Sequence, residues 1–119
     1  MKITGFDVQE KEINFAQLSR IMSDLSFIHE GQWDYERVTF DVKMLDATDE
    51  ATYFLRQQAV AISGEIPKDN AVVKLLTPVL GRHYYPHGVE YDEEFPEKIV
   101  AKCESKLKQL EGELNELGV

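Results

Sequence analysis

The alternation of apolar and polar residues between positions 37 and 44 is the most regular pattern in the chain. Val38, Phe40, Val42 and Met44 fall on one side, and Arg37, Thr39, Asp41 and Lys43 on the other. A period of two is that of an extended strand with one buried and one wetted face, as antiparallel sheets commonly have. Upstream the period changes. Phe15, Leu18, Ile21, Met22 and Leu25 repeat at helical spacing. Asn14 stands where an N-cap belongs, Gln17 completes a capping box, and Ile13 can staple onto Leu18. A helix is therefore predicted over 15–25. The residues before it, "KITGFDVQ", read more weakly as extended chain.

The rest of the sheet follows from turn composition. Residues 27–34 are expected to form a strand preceding 37–44, with Gly31 marking a bulge or bend. "DATDE" at 46–50 and "GEIPKDN" at 64–70 are turn clusters that bracket a strand "ATYFLRQQAVAIS". "AVVKLLTPV" reads as a further strand, buried on both faces for part of its length and ending near Pro78. Connections this short favour hairpins over crossover helices. The expected sheet is a four-stranded antiparallel meander.

A second and longer helix closes the chain. Pro96 suits its first position, the acidic residues at 93, 94 and 97 suit its positive end, and Gly118 suits its stop. Val100, Cys103, Leu107, Leu110, Leu114 and Leu117 make a stripe with spacings of three and four, which Ile99 widens. The stripe has two readings: a face laid on the sheet, or a seam for self-association into a homodimer, because an average spacing near 3.5 is that of coiled coils. Gly112 inside this helix costs about 1 kcal/mol relative to Ala and implies close packing or fraying there. The fold class is α+β: an antiparallel sheet of about four strands, a short N-terminal helix and a long C-terminal helix packed on it, in one domain spanning 1–119.

Composition removes several partners. With 22 acidic against 13 basic side chains, the formal charge is −9. There is no basic run to hold a phosphate backbone or an anionic lipid surface, so neither nucleic acid nor membrane is expected. No apolar run approaches the roughly 20 residues that span a bilayer, and the first residues lack the apolar core of a secretion signal. The expected location is the cytoplasm. Cys103 is the single cysteine, so no intrachain disulfide forms, and on an apolar helix face it is read as a small hydrophobe.

"GRHYYPHGVEY" at 81–91 concentrates the candidate chemistry. His83 and His87 have the i, i+4 spacing of helical zinc sites, with Glu90 and His29 as further ligands. Pro86 between them costs a helix about 3 kcal/mol, so the spacing loses its helical meaning. On an extended strand the two would lie roughly 13 Å apart. Metal and cofactor are therefore assigned as none. The plainer reading is a Tyr-Pro-His-Gly turn, with Gly88 supplying a positive φ and Tyr85–Pro86 a candidate cis bond. A third reading makes these aromatics the wall of a small-molecule pocket, with Arg82 or His87 as polar anchor. "QWDYE" at 32–36 is the other cluster. On a strand over 33–41, Asp34 and Glu36 would share the buried face of Val38 and Phe40, where a carboxylate of raised pKa could act as a general acid; a bend would put them beyond the core edge. The candidate ligand-binding residues are Trp33, Asp34, Arg82, His83, Tyr84, Tyr85 and His87. No phosphate loop or nucleophile elbow is present, and no catalytic residue is assigned.

"GQWDYERVTFD" (31–41) and "KLLTPVLGRHYYPHGVEY" (74–91) resemble the YugN-like family of small bacterial proteins, as does the order of elements across nearly the whole chain. The resemblance implies a small α+β cytoplasmic protein and supplies no catalytic residues. Three functions are consistent with this reading: a non-enzymatic binding protein acting as a homodimer, a small-molecule or metal-dependent enzyme using 81–91 with Trp33, Asp34 or His29, and an adaptor whose acidic surface holds a basic partner.

Overall fold

A computed structural model of the chain describes residues 1–29, 33–84 and 86–119. The element order is β1 (Glu12–Asn14), α1 (Phe15–Asp24), β2 (Arg37–Asp46), β3 (Ala51–Ser63), β4 (Val72–Leu75), β5 (Val79–Tyr84), β6 (Gly88–Glu90) and α2 (Glu97–Glu116). All strand pairings are antiparallel, and the six strands form one sheet.

The fold class is as expected, with six strands in place of four. The long strand β3 organises the sheet. Along one edge it pairs with β2 from Arg37↔Val60 to Asp46↔Ala51. Along the other edge its C-terminal half pairs with β4 and its N-terminal half with β5. The expected strand over 71–79 is thus broken at Leu76–Pro78, where Pro has no N–H to give a ladder. Its continuation pairs onward with β6, while β4 pairs with β1. The simple meander is corrected accordingly: β4 and β5 lie end to end beside β3, and each carries a three-residue edge strand.

The strand expected over 27–34 is also corrected. Among the described residues this segment pairs with β2 only through the single bridges Ile28↔Asp41 and Trp33↔Val38. The proposed bulge at Gly31 lies outside the described residues.

The N-cap expected at Asn14 is present. Asn14 accepts from the Gln17 amide at 3.1 Å, and Phe15, Leu18, Ile21 and Met22 are buried. At α2, Pro96 is the N-cap, one position before the helix starts. Gly118 has the positive φ of +74° that ends it. Close packing at Gly112 is not found: a Cβ there would meet nothing within 4 Å.

Both helices lie on one face of the sheet. Ile99, Cys103, Leu107, Leu110 and Leu114 of α2 are 0 % exposed and join Phe40, Tyr53, Leu55, Val73 and Leu80 in one core cluster. Burying each large aliphatic side chain contributes about 1.5–3 kcal/mol. Leu117, the last residue of the stripe, is 48 % exposed. Among the described residues the opposite face of the sheet carries no helix.

Candidate functional site

Pairing register decides what the 81–91 segment can do. Leu80, Arg82 and Tyr84 alternate with Gly81 and His83 along β5, so Arg82 and Tyr84 share the helix side while His83 faces the free side. Arg82 lies against two rings, its guanidinium carbon 4.9 Å from the Tyr84 centroid and 6.0 Å from that of Tyr53. The Tyr84 hydroxyl donates to the Glu93 carboxylate, which pushes the phenol up from its ordinary value. Tyr53 donates to Asp49 Oδ2 at 3.1 Å, and its ring meets Phe95 edge to face. Burial, then the Asp49 hydrogen bond, raises the Tyr53 phenol.

His83 instead turns its ring edge to Phe54, with centroids 6.1 Å apart. His87 is exposed in the turn before Gly88, whose φ of +87° is the positive value expected of it. Tyr85, and with it the question of a cis Tyr85–Pro86 bond, lies outside the described residues. His29 is packed between Phe15 and Phe40 on the helix side, with centroids 6.2 and 5.1 Å away. His29 and His83 therefore occupy opposite faces. Among the described residues no group of three or more His, Cys, Asp or Glu side chains is placed to hold a metal ion.

The 33–36 segment is a turn, and this corrects the buried-carboxylate reading of Asp34 and Glu36. Both side chains are exposed. Asp34 Oδ1 accepts from the amides of Glu36 and Arg37 at 2.8 and 2.9 Å, so its carboxylate shapes the entry to β2. Nor do the two conspicuous segments form one site. Arg37 pairs with Val60 and His83 with Thr52. These partners on β3 are separated by roughly 27 Å at about 3.4 Å per residue. Trp33 and Asp34 sit at one end of the sheet, and Arg82, His83 and Tyr84 at the other.

The helix-free face holds a polar network that the sequence did not single out. Arg56 Nε donates to both oxygens of Asp41, at 3.1 and 3.2 Å, and its Nη1 donates to the Tyr91 hydroxyl at 2.9 Å. Its guanidinium also lies 5.5 Å from the Phe54 ring centroid. Burial works against the Arg56 charge; Asp41 and Tyr91 outweigh it and leave the group more firmly protonated than an ordinary arginine. Tyr91 reaches this position by crossing Gly81, where a Cβ would come within 2.8 and 2.9 Å of its ring.

Two hollows lie at the far end. The larger, of about 850 Å³, is bounded by the 34–37 turn on one side and by residues 60–65 on the other. The smaller, of about 300 Å³, is lined by Trp33, Asp34, Arg37 and Thr39. Tyr35, Arg37, Val60, Ile62 and Glu65 were not among the expected site residues. They come together through strand pairing, and no motif joins them in sequence.

These features define a small α+β protein with one helical layer and, among the described residues, one sheet face without a helix. The chain belongs to the YugN-like family, whose model matches residues 5–111. It is 40 % identical over 112 residues to YlbA of Bacillus subtilis (strain 168), covering 92 % of both chains. It is 28 % identical over 74 residues to YugN of the same organism, covering 62 % of this chain and 54 % of that one. The crystal structure of a conserved YugN protein from Geobacillus kaustophilus HTA426 superposes with a TM-score of 0.86 at 39 % identity, covering 99 % and 97 % of the two chains. None of these names states an activity. No helix among the described residues is long and apolar enough to cross a membrane.

Proposed function

We propose that this is a non-enzymatic cytoplasmic binding protein that works as a homodimer, and that a second copy of the chain covers the helix-free face of the sheet. The observation that carries the reading is the composition of that face. Leu45, at 67 % exposure, and the half-buried Phe54 and Val60 flank an Asp41–Arg56–Tyr91 network whose charges are already paired within the chain. Covering such a face leaves no central charge unpaired, which is the costly outcome when charged groups are buried.

Area and edge charges support a second copy as the occupant. A face four strands wide and about ten residues long offers roughly 650 Å² per copy, or about 1,300 Å² in total, within the range of stable interfaces. Arg37 and Lys43 lie along the β2 edge and Glu12 along the β1 edge of the same face. A twofold axis parallel to the strands sets Arg37 of one copy over Glu12 of the other, since both lie on the cross-strand row Arg37–Val60–Lys74–Glu12 and Lys74 is already paired with Glu10. The helical stripe is a weaker candidate for this role, because Cys103, Leu107, Leu110 and Leu114 are consumed by the chain's own core and only Leu117 is left at its end.

Sedimentation velocity at micromolar concentration tests the reading. The wild-type chain is expected to sediment as a dimer and Leu45→Glu as a folded monomer with an unchanged circular dichroism spectrum. A wild-type monomer, or a dimer dissolved by Leu117→Glu and left intact by Leu45→Glu, would overturn it.

A further inference from the structure

We propose that the 850 Å³ cleft between the 34–37 turn and the end of β3 is a binding site for short peptides with free termini. Every lining residue belongs to one chain, but Arg37 and Val60 also lie on the face assigned above to a second copy, so a peptide here competes with that self-association and the cleft is fully open in the monomer.

The cleft is built on fixed backbone. The Ala61 amide donates to the Glu36 carbonyl at 2.8 Å, and the Ile66 amide donates to the Tyr35 carbonyl at 3.1 Å. Asp34 holds the turn through its two amide contacts. On the other wall Gly64 has φ +70° and passes so close to Ala71 that a Cβ would lie 3.1 Å from the Ala71 Cα. Both walls are thus anchored by main-chain contacts before any ligand arrives, which lowers the ordering cost of binding.

Its charges are mixed and held apart. Arg37 lines the cleft with the carboxylates of Asp34, Glu36 and Glu65, yet none of these four is in an ion pair with another side chain among the described residues. A phosphate-bearing ligand would meet three carboxylates, and a simple cation would meet the guanidinium. A peptide with free ends answers both signs. Its carboxylate suits the planar fork of Arg37, and its ammonium suits the acidic wall. Between them Tyr35, Val60 and Ile62 offer apolar surface to side chains. The volume falls within the range of sites that bury organic ligands, and far exceeds what one ion needs.

The only tryptophan provides the readout. Trp33 is 43 % exposed and lines the neighbouring hollow together with Asp34 and Arg37. Alanyl-leucyl-alanine, its N-acetyl form and its C-terminal amide would be titrated against Trp33 fluorescence, with calorimetry in parallel. Saturable binding of the free tripeptide is expected, with each blocked form about tenfold weaker or more. Arg37→Gln should abolish discrimination against the amide, and Glu65→Gln should reduce discrimination against the acetylated form. Leu45→Glu, the monomeric variant, should bind at least as tightly as the wild type does, so failure of the cleft is read on the monomer and stays separate from failure of the dimer. Equal binding of free and blocked tripeptides, or no saturation at millimolar concentration, would overturn the proposal.

Discussion

Asp41 and Arg56 stand directly opposite each other across β2 and β3, and Arg56 Nε reaches both carboxylate oxygens, at 3.1 and 3.2 Å. The pair sits on a face without helices, yet Asp41 is only 5 % exposed. Its backbone is also tied down, exchanging hydrogen bonds with Ile28 at 2.8 and 2.9 Å. This arrangement joins the 27–29 segment, β2, β3 and Tyr91 through one guanidinium.

Removing Arg56 should therefore cost more than a surface ion pair. Arg56→Ala removes the bidentate donor to a buried carboxylate and the donor to Tyr91, and is expected to destabilise by about 2–4 kcal/mol. Arg56→Lys should recover only part of the loss, because an ammonium cannot serve Asp41 and Tyr91 from one plane. Urea denaturation of the single variants and of Asp41→Ala/Arg56→Ala gives the coupling between the two. A coupling under about 0.5 kcal/mol would show that the pair is no more than an exposed salt bridge.

Gly81 is needed for close approach. Its φ is unexceptional, but a Cβ there would meet the Tyr91 ring at 2.8 and 2.9 Å and Val89 Cγ1 closer still. Gly81→Ala is expected to cost about 1–3 kcal/mol and to displace Tyr91 from Arg56. Near-ultraviolet circular dichroism and the urea midpoint would register both effects. Gly112→Ala is the internal contrast: its Cβ meets open space on an exposed helix position, and about 0.5–1 kcal/mol of stabilisation is expected.

What the sequence made legible follows the length of each pattern. β2 and β3 are long enough for alternation to set their boundaries, and the cap at Asn14 placed α1. The three-residue edge strands β1 and β6 carry too little pattern to be seen, because their existence depends on a neighbour's open edge. Pro78 was read as an ending when it is an interruption, since the chain past it resumes pairing with the same strand, β3. At 81–91 the density of reactive side chains was visible, but their directions were not. Arg82 and His83 are adjacent in sequence and serve opposite faces, so the segment divides its side chains between the two sides of the sheet. The cleft had no local signature, because Arg37 and Val60 meet only through the β2–β3 register.

Cys103 should be chemically silent in the folded protein. Burial pushes its thiol up to about 12, with Glu104 adding to the effect, and its side chain is 0 % exposed on the core side of α2. The thiolate is the reactive form, so almost none exists near neutral pH. A disulfide reagent at pH 8 is expected to label Cys103 only at the rate at which the core opens. Labelling should accelerate with urea in step with unfolding. Rapid stoichiometric labelling of the native chain would show that the N-terminal half of α2 is not docked as described.

The docking of that helix half gives a pH dependence. Asp46, on the helix side of the β2–β3 hairpin, accepts from Lys98 of α2 at 2.8 Å and from the Thr48 amide at 2.9 Å. The Lys98 hydrogen bond first, then that amide, hold its carboxyl below the ordinary carboxylate range, against the opposing effect of burial. The folded chain therefore binds the Asp46 proton more weakly than the unfolded chain does. Its contribution to stability is complete above the unfolded value near 4, and is lost as pH falls through the lower folded value. Acid acts on the whole chain, so the informative quantity is a difference between variants. Urea midpoints of the wild type and of Asp46→Asn should converge between about pH 5 and pH 2, because the asparagine has no charge to lose. Lys98→Met should behave as a partial copy of Asp46→Asn, retaining only the part due to the Thr48 amide. Parallel midpoints across that window would mean that the Asp46–Lys98 contact adds nothing to the apolar core that already holds α2 on the sheet.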